Sequence, residues 1–213
     1  MNGKKVRQSG QSIVELAVIL PFLILLIIGM VETALALRSY LLVTTACREG
    51  VRFVARARYT DEDAARWMLN SGGYTTLNNQ QVLFFRASPP DPNTGIIITH
   101  IPIQSDGTRG DITRYLTGTM TVISGTAIIT RPITVGDSRV AEIDLARHEN
   151  ETRTINQQRV AAGYEALDNR LVVVEVFYAH WTLWNYRPLG LPRVLQLYSR
   201  SVMRVVSDAR QSQ

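Results

Sequence analysis

The amino-acid sequence predicts an α+β fold in which one long N-terminal transmembrane helix continues into an extracytoplasmic domain built on an antiparallel sheet. Three observations predict it. The stretch from Leu16 to Val31 holds no charged residue. Beyond it Leu37, Tyr40, Leu41, Thr44, Cys47, Val51 and Val54 recur every three or four positions, the period of a helix face. The rest of the chain breaks into short β-branched and aromatic runs interrupted by Pro, Gly, Asn and Asp.

Ile13 to Val31 is 19 residues. At about 1.5 Å of rise per residue this helix matches the roughly 30 Å of bilayer hydrocarbon. Lys4, Lys5 and Arg7 precede it, whereas Glu32 and only then Arg38 follow, so the positive-inside bias keeps the N-terminus in the cytoplasm. A secretory signal peptide is the competing reading, with an A-x-A-like site at Ala34, Leu35 and Ala36 and a mature start at Leu37. Against it, the apolar stretch is long for such a peptide, and the helical pattern runs through the cut to about Ala57. Glu15 sits near the cytoplasmic edge of the apolar run, where a carboxylate calls for a partner. Pro21 removes a helical hydrogen bond and predicts a kink or local unwinding.

The chain of 213 residues, 46% of them hydrophobic, has room for one domain of ordinary size plus appendages. Its formal charge of +5 raises nucleic acid as a partner. Three of the cations are Lys4, Lys5 and Arg7; without them 20 basic residues face 18 acidic ones, a balance of +2, and that signal mostly disappears. Cys47 is the only cysteine, so no intramolecular disulfide forms, and its place in the helical pattern reads as a small core residue.

In the outer part Thr60 caps a short helix with Asp63 at the capping-box position; Ala64, Ala65, Trp67 and Met68 form its body, and Gly72 and Gly73 end it. Strands are expected at Val82 to Phe85, Ile96 to Ile103, Met120 to Ile129, Leu171 to Trp184 and Val194 to Val206. The charged stretch from Arg139 to Asn169 reads as exposed helix and loop. No catalytic constellation emerges, and no cofactor or metal is indicated. His100, His148 and His180 are far apart and lack a second ligand at metal-site spacing. Asp106 to Asp111, DGTRGD, lacks a calcium-loop glutamate and reads as a turn. Asn150 to Thr152 is a glycosylation sequon. Trp181, Trp184, Tyr186 and Arg187 are the best candidates for a binding surface, and strand packing is their simpler reading.

The segment from Gly10 to Ala55, GQSIVELAVILPFLILLIIGMVETALALRSYLLVTTACREGVRFVA, closely resembles the N-terminus of TadE-like proteins, the pseudopilin-like components of tight-adherence (Tad/Flp) pilus systems. The likeness rests on the small-x-x-Val-Glu start, the Leu20 and Pro21 pair, Gly29 and Glu32, and the Arg-Glu-Gly-x-Arg run of Arg48, Glu49, Gly50 and Arg52. It implies a pilin-like fold and a prepilin peptidase cut after Gly10, with Gln11 as the new N-terminus and Glu15 as the fifth mature residue. A tyrosine often follows that glutamate in the major Flp pilins; here the place is Leu16, and those pilins are much shorter, so the resemblance is to a minor component. The layout it implies is a basic leader over 1–10, a helix over 11–58 with its membrane span at about 13–33, and an outer α+β domain over 59–213. The implied partners are other pilin-like subunits, the Tad pilus assembly machinery, the peptidase and the lipid bilayer, with no nucleic acid and no small-molecule substrate. Ala17 and Gly29 would let helices approach closely, and the Gln11 amine with Glu15 would supply a polar pair. The protein is then a structural component and not an enzyme. The alternatives are a membrane-tethered extracytoplasmic binding module on an uncleaved anchor, and an enzyme displayed outside the cell.

Overall fold

The computed structural model describes residues 9–56, 60–71, 93–124, 127–182 and 193–206. The expected strand over 82–85, the glycines at 72 and 73, the basic residues at 4, 5 and 7, and Trp184, Tyr186 and Arg187 lie outside them.

Helix α1 spans Ser9–Ala55 and is unbroken through Pro21, so the local unwinding expected there does not interrupt the element. Its two halves meet different surroundings. From Ser12 to Val31 every residue is exposed except the half-buried Ile28. In the outer half Val43, Ala46, Cys47, Val51 and Val54 are buried at helical spacing and form one stripe against the rest of the protein. Helix α2, Asp61–Ser71, opens with the capping box expected of it: the Asp63 amide donates to Thr60 Oγ1 at 3.1 Å, and the Thr60 amide to Asp63 Oδ2 at 3.2 Å. It buries Ala64, Ala65 and Met68 beside the α1 stripe.

Five strands follow: β1 Thr94–Ile103, β2 Thr113–Ser124, β3 Ala127–Pro132, β4 Asn169–Trp181 and β5 Val194–Val206. They form one antiparallel sheet in the order β3-β2-β1-β4-β5. The apolar run expected as a single strand over 120–129 is divided between β2 and β3, which pair from Thr119 opposite Pro132 to Ser124 opposite Ala127. An unbroken strand of that length would leave its outer residues without a partner, and folding back supplies one.

β4 lies between β1 and β5, and Leu171 to His180 are all buried. Its period of two sorts them onto two faces. Val172, Val174, Val176 and Tyr178 join Ile96 and Ile98 against α1 and α2. On the opposite face, Leu171 and Val173 pack with Ile101, Ile103 and Val140, while Phe177 packs with Ile97 and Ile133. That face is covered by Ile133, Val140, Ile143 and Leu145, the last of which begins helix α3, Leu145–Ala161. Asp144 caps α3 by accepting from the Arg147 amide at 3.0 Å. Asn156 anchors the helix by donating to Ser105 O and Leu167 O and accepting from the Leu167 amide.

Candidate functional site

The residues singled out in the sequence fall at three heights along α1. Gly10 and Gln11 lie in its first turns. Glu15, Ala17, Pro21 and Gly29 follow on its exposed half. A Cβ built on Gly29 meets nothing within 4 Å, so this small residue leaves an open notch, and Thr33 Oγ1 donates to the Gly29 carbonyl at 2.8 Å.

Glu32 is different: it is buried. Its Oε1 lies 3.6 Å from Nε2 of His180, near the C-terminal end of β4, and His180 Nδ1 lies 3.1 Å from Ser39 Oγ. The sheet therefore reaches down α1 to the residue that ends the apolar run. Of the three histidines, His180 thus marks the junction of helix and sheet. His100 Nε2 sits 2.8 and 2.9 Å from the two carboxylate oxygens of Asp61, tying the start of α2 to β1.

The third height is the Arg-Glu-Gly-x-Arg run. Arg48 and Arg52 are exposed, and Arg52 Nη1 donates to Glu49 Oε1 at 2.9 Å along the helix surface. Gly50 faces the other way. A Cβ on it would stand 2.2 Å from Met68 Sδ, so the glycine leaves room for the Met68 side chain of α2. The motif combines an outward charged face with an inward packing contact.

Sequence reasoning missed Glu175, a carboxylate inside the all-apolar VVVEVFY strand, although its isolation there was a usable signal. It is fully buried on the face away from α1. Ser138 Oγ donates to its Oε2 at 2.5 Å, while the Arg139 amide at 2.7 Å and the Tyr198 hydroxyl at 2.9 Å donate to its Oε1. Arg139 lies over the Tyr198 ring, 4.5 Å from its centroid. Burial, and then the bond to Glu175, push the Tyr198 phenol above its ordinary range. Every donor aimed at Glu175 belongs to the segment it holds or to β5, so the arrangement fastens chain to sheet.

Cys47 packs against the sheet, beyond the apolar half of α1, and its thiol donates to the Val174 carbonyl at 3.0 Å. Burial pushes it up to about 12, which removes it as a nucleophile. The turn precedes the RGD triplet: Asp106 Oδ1 accepts from the Thr108 amide at 2.7 Å and Gly107 has φ +85°, whereas Arg109 bridges to Ile103 of β1 and donates twice to Glu149. Among the described residues no group of three or more His, Cys, Asp or Glu side chains is placed to hold a metal ion.

An α+β domain seated on the outer half of a helix whose inner half is long and apolar enough to cross a membrane defines the class: an architecture compatible with a single-pass membrane anchor. Residues 10–52 match the family model described as TadE-like protein, in agreement with the resemblance carried by the same residues, and the match associates the chain with the Tad pilus. No curated protein and no solved structure matches the chain.

Proposed function

We propose that the chain is a minor pilin-like structural component of a Tad/Flp-type pilus assembly and adhesion apparatus, held in the cytoplasmic membrane by α1 with its N-terminus inside. The observation that carries this reading is the uncovered helix from Ser12 to Val31 lying within the TadE-like match. Residues 1–10 serve as the leader, 11–58 as the helix and 59–213 as the outer domain. In lipid, apolar side chains gain nothing by leaving one another's company for hydrocarbon, so helices associate through close packing and polar pairs. Ala17 and Gly29 offer the first. The second comes from cleavage after Gly10: the Gln11 ammonium then lies one helical turn from Glu15, its own or a neighbour's, where the low dielectric strengthens their attraction. Glu32 belongs to this assembly region as its upper limit, and Arg48, Glu49 and Arg52 present charge to neighbouring subunits above the membrane. Prepilin peptidase processes the chain, and other pilin-like subunits and the Tad machinery receive it.

N-terminal sequencing of the membrane-bound product tests the reading. Gly10→Val is expected to leave a precursor about ten residues longer, because a side chain at the cut obstructs approach to the backbone. Glu15→Gln is expected to be cleaved normally and to lose co-purification with partner subunits. A mature start at Leu37, or a Gly10→Val chain processed like wild type, refutes it.

A further inference from the structure

The β2–β3 ribbon leaves the sheet at one end, and the registers show which end. β4 runs toward the apolar half of α1, since Val174 meets Cys47 while His180 meets Ser39 and Glu32. β1 runs the opposite way and β2 runs with β4. Gly95 stands opposite both Phe177 of β4 and Gly118 of β2, which puts those two residues at one level. Beyond that level β4 has three residues to His180, whereas β2 has six to Ser124, paired only with β3. At about 3.4 Å per residue, and with about 20–25° of twist between neighbouring strands, Ser124 extends roughly 5–10 Å further than His180. It thereby comes level with the end of the apolar run at Glu32. Gly118 makes the departure possible: its φ is +83°, and a Cβ there would stand 2.1 Å from the Thr94 carbonyl oxygen.

The ribbon's composition does not suit water. No Asp, Glu, Lys or Arg occurs from Tyr115 to Thr130. Val122 stands opposite Ile129, and Ile123 opposite Ile128, so alternate faces of the ribbon are both apolar. Ile123 and Ile129 are 45% and 49% exposed, one on each face of the ribbon. Trp181, at the same end, is also exposed. Indole is the side chain enriched where bilayer meets water.

We infer that Val122, Ile123, Ile128 and Ile129 of this ribbon, with Trp181, rest in the outer interface of the bilayer that α1 crosses. This inference depends on the anchoring proposed above. The seat is the headgroup layer and not the hydrocarbon, because the outward N–H and C=O groups of the edge strand β3 need water or headgroup partners. Two contacts with the lipid, helix and ribbon, then set the tilt of the domain, which a single helix leaves free.

The test uses the full-length chain reconstituted in vesicles of phosphatidylethanolamine and phosphatidylglycerol at fewer than one chain per vesicle. A thiol-reactive environment-sensitive dye is placed through Ser124→Cys, with Leu26→Cys in the span and Asp111→Cys at the opposite end of the sheet as references; buried Cys47 stays unlabelled. Lipids bearing a nitroxide near the headgroup are expected to quench the dye at 124 several-fold more than the dye at 111, and Ile123→Asp with Ile129→Asp is expected to abolish the difference. Equal quenching at 124 and 111 with strong quenching at 26 overturns the ribbon contact and leaves the anchor standing. Absence of quenching at 26 overturns the anchor and the ribbon contact with it. A dye at 124 that turns apolar only at high protein density, without lipid quenching, assigns the ribbon to a second copy and overturns the inference.

Discussion

Gly50 sits in the middle of a motif that the family resemblance marks and that the structure divides between two tasks. Replacing it with alanine separates them. In a helix interior alanine is worth about 1 kcal/mol more than glycine. Here the added methyl would start 2.2 Å from Met68 Sδ, far inside van der Waals contact, and Met68 is fully buried between α1, α2 and the sheet. Overpacking of that kind costs about 1–3 kcal/mol, so Gly50→Ala is expected to be destabilising by about 1 kcal/mol net. Met68→Ala alone opens a cavity worth about 2–5 kcal/mol. In the double variant the clash is gone, the helix gain remains, and the new methyl fills part of the cavity. The two changes should therefore fall short of additivity by about 2 kcal/mol, a coupling readily separated from the roughly 0.5 kcal/mol scatter of independent sites. Urea unfolding of the full-length chain in detergent micelles reads this out. Trp67 of α2 stacks on Phe53 of α1 with ring centroids 5.2 Å apart, so its fluorescence reports undocking of the two helices. Additive changes, or a Gly50→Ala chain stabilised by the bare helix propensity, would sink the packing account and return Gly50 to the subunit-facing surface with its charged neighbours.

Two further outcomes follow from the polar contacts. Glu175→Gln can keep its carbonyl oxygen toward the Arg139 amide and Tyr198 hydroxyl, so it should cost only about 1 kcal/mol, whereas Glu175→Leu orphans those buried donors and should cost about 3 kcal/mol or more; equal losses in thermal unfolding would contradict the three-donor geometry. The Arg131 guanidinium beside Asp137, helped by the Thr134 amide and hydroxyl, lowers that carboxyl to about 2. A depressed carboxyl stabilises above its unfolded value near 3.8 and loses that contribution as pH falls toward 2. Screened by solvent, the contribution is about 1 kcal/mol, so Asp137→Asn should be less stable than wild type at neutral pH and indistinguishable near pH 2. A gap that persists in acid would assign the loss to packing.

The sequence by itself determined the features that act along the chain. An apolar run as long as a bilayer is thick, basic residues on one side of it, a three-to-four period continuing past it and a Thr60–Asp63 capping box each depend on neighbours within a few positions, so α1, α2 and the TadE-like segment were legible from residues alone. The position of β5 was legible for the same reason: Val194 to Val206 contains no Pro, Gly, Asn or Asp to break it. Tertiary structure decided what lies opposite what. Whether Met120 to Ile129 is one strand or a turn between two depends on which residues find hydrogen-bond partners, and the first part of β2, Thr113 to Thr119, has too mixed a pattern to declare itself without β1 beside it. The role of Glu175 was hidden because its three donors lie 23 to 37 positions away. The packing role of Gly50 was hidden within a charged run because Met68, which fills the space a side chain would take, arrives from another helix. Glu32 looked like the first polar residue after a membrane span, and His180, 148 positions later, made it the buried point where sheet and anchor meet. Local sequence encodes what each segment prefers; only the closed sheet, with each strand's polar backbone and apolar faces satisfied together, selects which distant residues share a contact.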